Sequence, residues 1–306
     1  MDSHIAVKDM LERVLSISHP LTPFDMPLLD AHGATLAEDI FAGERLVLRK
    51  GSRIRSTQIG LAASIGLARL PTQPHPRVVV ISAGDDLVEP GHLLNSDEEE
   101  FETNSWMLTT AMKEAGAIAY RVHAIPENQD QLRRVIEDQL VRADLIVVSG
   151  ESHDGSFELI QAVLSEIGEI SSVIPNLEGT ARHCFGTIGE DKVPVIALPG
   201  DPIAAYLSSE LFIRPMIRTM LGVTNIFRST VTAAVTIDLE SPVGVTSLLL
   251  STLDRTESGM RTITPFVDQT EMYSLSDTQA LLAIPADESG VLAGEIVDAI
   301  LVERIS

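Results

Sequence analysis

The sequence predicts an α/β protein: a central three-layer α/β/α domain on a mainly parallel sheet, preceded by a helical or mixed segment and followed by a small β domain. Three observations carry this expectation. The apolar runs RVVVISAG (77–84), DLIVVSG (144–150) and KVPVIALPG (192–200) are short and continuous, as strands buried on both faces are. They alternate with segments of helical period, among them NQDQLRRVIEDQLVRA (128–143), where Leu132, Val135, Ile136 and Leu140 recur at helical spacing. Beyond Gly222 the pattern shifts to short strand-forming pieces such as TVTAAVTIDLE and VTSLLLSTL.

Taken in chain order, residues 6–17 predict a helix whose apolar face holds Val7, Met10, Leu11, Val14 and Leu15. The Ala-rich stretch 59–70 predicts a second, ended by a turn near Pro71. From residue 76 the alternation begins. TNSWMLTTAMKEAG and SFELIQAVLSEIG read as helices, IAYRVHAI as a strand, and DPIAAYLSSELFIRPMIRTMLG as one long helix. RTITPFV, ALLAIPA and GEIVDAILVERI complete the set of late strands. These shifts divide the chain at 1–75, 76–222 and 223–306. The acidic run DEEEFE (97–102) reads as solvent-facing loop or first-turn charge.

Composition narrows the function. There are 22 Lys and Arg against 44 Asp and Glu, a net charge of -22. A nucleic-acid partner is not expected, because backbone binding needs a basic surface. Cys184 is the single cysteine, which rules out an internal disulfide and a cysteine metal cluster and fits a buried small side chain. No apolar run reaches the length of a membrane span and the start lacks a secretory pattern, so a cytoplasmic location is expected.

Three loops that each follow an apolar strand are the candidate site: SAGDDLVEPG (82–91), VSGESHDG (148–155) and ALPGDPIAA (197–205). A parallel sheet gathers such loops at its carboxyl edge, where open α/β sheets bind ligands. Asp85 and Asp86 suit a hydrated magnesium ion or a plain solvated turn. Ser149, Gly150 and Gly155 suit a backbone cradle for an anion, or are needed for turn geometry alone. Glu151 opposes phosphate at that loop, and no Lys occurs from 114 to 191, which leaves Arg182 as a basic contact or a salt-bridging residue. Asp201 before Pro202 reads as a helix N-cap. His153 has no partner pattern that makes a triad, and reads as a polar loop residue.

In this order and combination, PLLDAHGATLAEDI, KGSRIRSTQIGLAASIGLARL, RVVVISAGDDLVEPG, ADLIVVSGESHDG and VIALPGDPIAAYLSSELFIRPMIRTMLG resemble the molybdopterin molybdenumtransferase family, the MoeA and gephyrin E-domain enzymes. The resemblance implies a homodimer that binds adenylylated molybdopterin, uses magnesium to promote loss of AMP and inserts molybdate. It places Gly84, Asp85 and Asp86 on the family's glycine-aspartate-glutamate loop, with Asp86 in place of the glutamate. Ser149, Gly150 and Gly155 fall on the second glycine loop. Pro199, Gly200, Asp201 and Pro202 fall on the proline-glycine-asparagine-proline turn, with Asp201 in place of asparagine.

The departures are chemical as well as structural. Nothing between Ile40 and Gly51 matches the family's asparagine-serine-alanine-methionine-aspartate-glycine-tyrosine segment or leaves room for the lobe after it. Glu151 stands for a glycine and His153 for a serine. Ser156 and Glu158 stand for two aspartates, and Ala204 for the usual serine. The lysine-rich motif expected downstream is VIPNLEGTARHCFG, without a lysine. Losing positive contacts from several sides predicts weak or no standalone transferase activity, while the inherited pocket architecture leaves room for ligand binding. Two alternatives stand beside it. One is an active magnesium-dependent molybdotransferase compensated by Arg182 or a partner chain. The other is a non-catalytic dimeric scaffold that holds a cofactor-synthesis or regulatory protein.

Overall fold

The computed structural model describes residues 3–125, 128–150 and 156–302. Its centre is a seven-stranded mixed sheet in the order Ser3–Ile5, Gly168–Pro175, His183–Ile188, Val193–Leu198, Leu145–Ser149, Arg77–Ala83 and Ile118–Ile125. The last four strands of that order run parallel, and His183–Ile188 pairs antiparallel with both its neighbours. Period-two alternation sorts the side chains. Val78, Val80, Leu145, Val147, Ile196 and Leu198 meet helices Val7–Ser16, Asn104–Ala115 and Arg214–Met220 on one face. Val79, Ile81, Ile146, Val148, Val195 and Ala197 meet helices Gln129–Leu140 and Ser156–Ile167 on the other. The expected three layers are present.

The first strand and helix belong to this central unit, since Met10 and Val14 are fully buried in its core. The remainder of the N-terminal stretch has its own small core, with Leu36, Ile54, Ala62 and Leu70 at its centre. The expected helix over 59–70 is corrected here. It spans Ser56–Ser64, Gly66 turns the chain at φ 82°, and Arg69–Gln73 is a strand between Phe24–Pro27 and Thr35–Leu36. Pro71 is tolerated in that strand because its carbonyl still accepts from Ala37 N. Residues Ile40–Ala42 and Arg45–Leu48 form a tight hairpin turned by Gly43 and Glu44, so no lobe is inserted there.

After the sheet, the expected long helix from 201 to 222 is broken into Pro202–Ser208, a π-helical turn Ser209–Ile213, and Arg214–Met220. Pro215 accounts for the break: it has no N–H to continue the α ladder, and a widened turn absorbs the mismatch. The C-terminal strands close into a five-stranded barrel around Ala233, Val235, Ile263, Leu282 and Ala299. Leu248, Leu250 and Leu281 of the barrel pack on Ile203 and Leu207, which seats it against the helix that follows the third candidate loop. Among the described residues no helix is long and apolar enough to cross a membrane.

Candidate functional site

Strand register builds the site. Ser149 pairs with Ser82 on one side and Leu198 on the other, so three parallel strands end level with one another. Gly84 with Asp85 and Asp86, then Gly150, then Pro199 with Gly200, leave the sheet at this edge. Gly84, Ser149, Gly150 and Pro199 are buried, Asp86 is half-buried and Asp85 is exposed. Gly155, along with Glu151, His153 and Asp154, lies outside the described residues.

Between these loops is a recess of about 50 Å³ lined by Gly150, Gly200 and Pro202, with Glu102, Thr103 and Asn104 facing them. Asn104 is the residue that ties it together. Its Nδ2 donates to Ser149 Oγ at 2.9 Å and to the Gly200 carbonyl at 2.6 Å, bridging two of the three loops. Its Oδ1 is buried without a hydrogen-bond partner, a state that ordinarily costs stability and that a donor on a bound molecule would relieve.

The acidic run beside it is not simply solvated. Glu102 is 1% exposed. Its carboxylate accepts from Ser82 Oγ at 2.6 Å, from Ser105 N at 2.7 Å and from Ser105 Oγ at 2.5 Å, and it pairs with Arg121 at 3.0 Å. Arg121 also pairs with Glu89 and lies over the Trp106 ring at 4.3 Å. Four segments are thereby locked around one buried carboxylate. The sequence reading missed Glu102, Asn104 and Arg121. An arginine inside the apolar strand IAYRVHAI is the signal that a buried acid is nearby.

Two candidates sit apart from the recess. Arg182 pairs with Glu158 at 3.0 Å and lies 6.0 Å from the Phe157 ring, at the start of the helix after the second loop. Asp201 caps its helix by accepting from Ala204 N at 2.8 Å, and lines a separate cleft with Ile203, Leu248 and Gln269. No Lys or Arg is among the described residues lining the recess. Among the described residues, no group of three or more His, Cys, Asp or Glu is arranged to hold a metal ion. Asp85 and Asp86 put two adjacent carboxylates on the first loop, one exposed and one half-buried, and magnesium ordinarily takes one or two carboxylates with water completing its shell.

Behind the site, His183 anchors the helix that starts at Pro202. It is fully buried, its Nε2 accepting from Ser208 Oγ at 2.8 Å and its Nδ1 donating to the Ala181 carbonyl at 2.9 Å. Burial lowers its pKa to about 4, with the Ala181 contact opposing.

Residues 79–219 match a family described as a probable molybdopterin binding domain. The chain is 28% identical over 267 residues to molybdopterin molybdenumtransferase 1 of Mycobacterium tuberculosis, covering 85% of this chain and 62% of the relative. It is 32% identical over 267 residues to molybdopterin molybdenumtransferase 2 of the same organism, covering 84% of this chain and 64% of the relative. The chain thus spans less than two thirds of the length of either relative. Among solved structures, the molybdopterin biosynthesis MoeA protein of Pyrococcus horikoshii superposes with a TM-score of 0.78 at 17% identity, covering 98% of this chain and 100% of that one. A molybdenum cofactor biosynthesis protein of Pyrococcus furiosus does so at 0.72 and 21% identity, covering 98% and 100%. The structural likeness concerns the fold alone; the sequence matches are, at the level of family, to molybdopterin-binding and molybdenumtransferase proteins.

Proposed function

We propose that the chain binds adenylylated molybdopterin at the sheet edge, and that its standalone molybdotransferase activity is weak or absent. The observation that carries this is the recess itself: two of the three loops are fixed by Asn104, whose remaining carbonyl oxygen is buried and unmatched. Gly150 and Gly200 add no side chain to the lining of the recess. Asp85 and Asp86, on the loop that leaves the same sheet edge, would hold a magnesium ion, which would supply counter-charge to the ligand's phosphate. The weakness follows from the lack of a basic group among the described residues of the lining. Transition-state charge on a leaving phosphate is stabilised by fixed positive groups, and Arg121 is already engaged by two carboxylates. Homodimerisation, and a cofactor-synthesis or regulatory partner that supplies the missing charge, belong to the same proposal.

The test is to titrate the purified chain with adenylylated molybdopterin in magnesium and molybdate, following binding and AMP release together. Saturable binding, weakened in Asn104→Ala, with AMP release close to the protein-free rate is the expected result. Protein-dependent turnover that falls in Asp85→Asn would instead establish an active transferase. Absence of binding would remove the ligand-site reading and leave the scaffold.

A further inference from the structure

Helix Asn104–Ala115, the bent segment 202–220 and helix Met272–Ser276 enclose an open cleft of about 920 Å³ that shares no lining residue with the recess. One wall is apolar, with Trp106 half-exposed beside Met107, Met272 and Leu275. The other carries Arg214 and Arg228. These two arginines differ in what they already hold. Arg228 donates from Nε and Nη2 to the Glu210 carboxylate, both at 2.7 Å, and from Nη1 to the Val302 carbonyl. Arg214 comes no closer than 4.0 Å to Glu210, and its Nε and Nη1 are buried with no hydrogen-bond partner. Burial and the neighbouring Arg228 both act against its charge, in that order. Arg214 thus lines the cleft beside a second guanidinium, with its nearest carboxylate at the 4.0 Å limit of an ion pair, and a closer anion would stabilise its charge.

We propose that this cleft binds a small aromatic monocarboxylate, its carboxylate on Arg214 and its ring against Trp106, Met107 and Leu275. A carboxylate forms a short charge-assisted hydrogen bond with a guanidinium. A single negative charge suits the cleft better than a phosphate dianion, because Glu114 also lines it and Glu210 lies behind it. The thioether and indole wall supplies polarizable contact for a ring. The binding does not depend on the molybdopterin reading.

Trp106 is the only tryptophan of the chain, so its indole N–H gives a single reporter resonance inside the cleft. The intact chain, labelled with ¹⁵N at that indole, is titrated with phenylacetate and, separately, with the neutral isostere phenylacetamide. Phenylacetate should give a saturable shift, with an affinity at least about tenfold above that of the amide, as a charge-assisted contact requires. The same loss is expected in Arg214→Gln. Thr110→Glu adds a negative charge at an exposed lining position of a helix, and should weaken phenylacetate alone even if Arg214→Gln does not fold. Equal affinity for acid and amide, or an undiminished response in either folded variant, overturns the proposal. So does an indole signal that never moves, the outcome if a second copy of the chain covers the cleft.

Discussion

Acid should loosen this fold through one histidine, and the size of the effect follows from its surroundings. His183 is neutral in the native state because its ring is fully buried between Ser208 Oγ and the Ala181 carbonyl, with Phe212 edge-on at 5.8 Å. Its pKa is lowered to about 4 against an ordinary value of 6.5. The unfolded chain therefore binds the extra proton first. The stabilisation is complete above pH 6.5 and is lost as pH falls towards the folded pKa. At 1.36 kcal/mol per unit, the linkage predicts a loss of about 2 kcal/mol by pH 5 and about 3 kcal/mol by pH 4, relative to pH 7.5. Carboxylates titrate in the same range, so the assay is a difference: urea unfolding of the native chain and of His183→Gln at several pH values. The gap in unfolding free energy between them should narrow by that amount as pH falls. Parallel profiles would show that the imidazole does not stay neutral in the folded protein. Because Ser208 closes the helix that starts at Pro202, the same proton should reduce ligand binding at the sheet edge before global unfolding sets in.

Three further perturbations test the site and its frame. Asn104→Ala removes the bridge between Ser149 and Gly200, and should cost about 1–3 kcal/mol in chemical denaturation while weakening the ligand at the recess. Arg121→Met leaves the Glu102 carboxylate buried without its cation, and should cost about 3–5 kcal/mol, most of it regained in the double variant with Glu102→Gln. Gly186→Ala would set a Cβ 1.9 Å from the Glu169 carbonyl oxygen of the neighbouring strand; it should lower the thermal midpoint by many degrees, and an unchanged midpoint would refute the close pairing of those two strands.

What the sequence disclosed depended on how local the determining physics was. Val78 to Ile81 and Leu145 to Val148 announce buried strands because both faces of each are covered, and the run of apolar residues needs no partner to be recognised. The barrel strands were legible for the same kind of reason. Ser3–Ile5 was not, since three residues joined to the sheet edge only through Gly168–Pro175 carry no period of their own. The strand with Pro71 was hidden because proline ordinarily ends such elements. Its tolerance depends on a bond from Ala37, 34 positions away. The loops of the site could be located from strand-then-glycine spacing. Asn104, Glu102 and Arg121 could not, because each owes its role to contacts between segments that the chain brings together only on folding.

The buried carboxylate also decides how the recess meets a phosphate. Glu102 draws donors from Ser82, Ser105 and Arg121, and this fixes the loop around it before any ligand arrives. It also engages the positive charge of Arg121, since the same guanidinium serves Glu89 as well. The chain as a whole carries a net charge of -22, so an anionic ligand gains nothing from the long-range field. A phosphate-bearing molecule must therefore arrive with its own counter-charge. Its affinity should fall at least about tenfold when magnesium is withdrawn, the scale of one lost charge-assisted contact. The neutral pterin portion alone should bind equally with and without the metal. Calorimetric titration of both ligands with magnesium and with chelator makes the comparison. Magnesium-independent binding of the phosphate ligand would mean that a cation on this chain reaches the site after all, with Arg182 the first residue to replace.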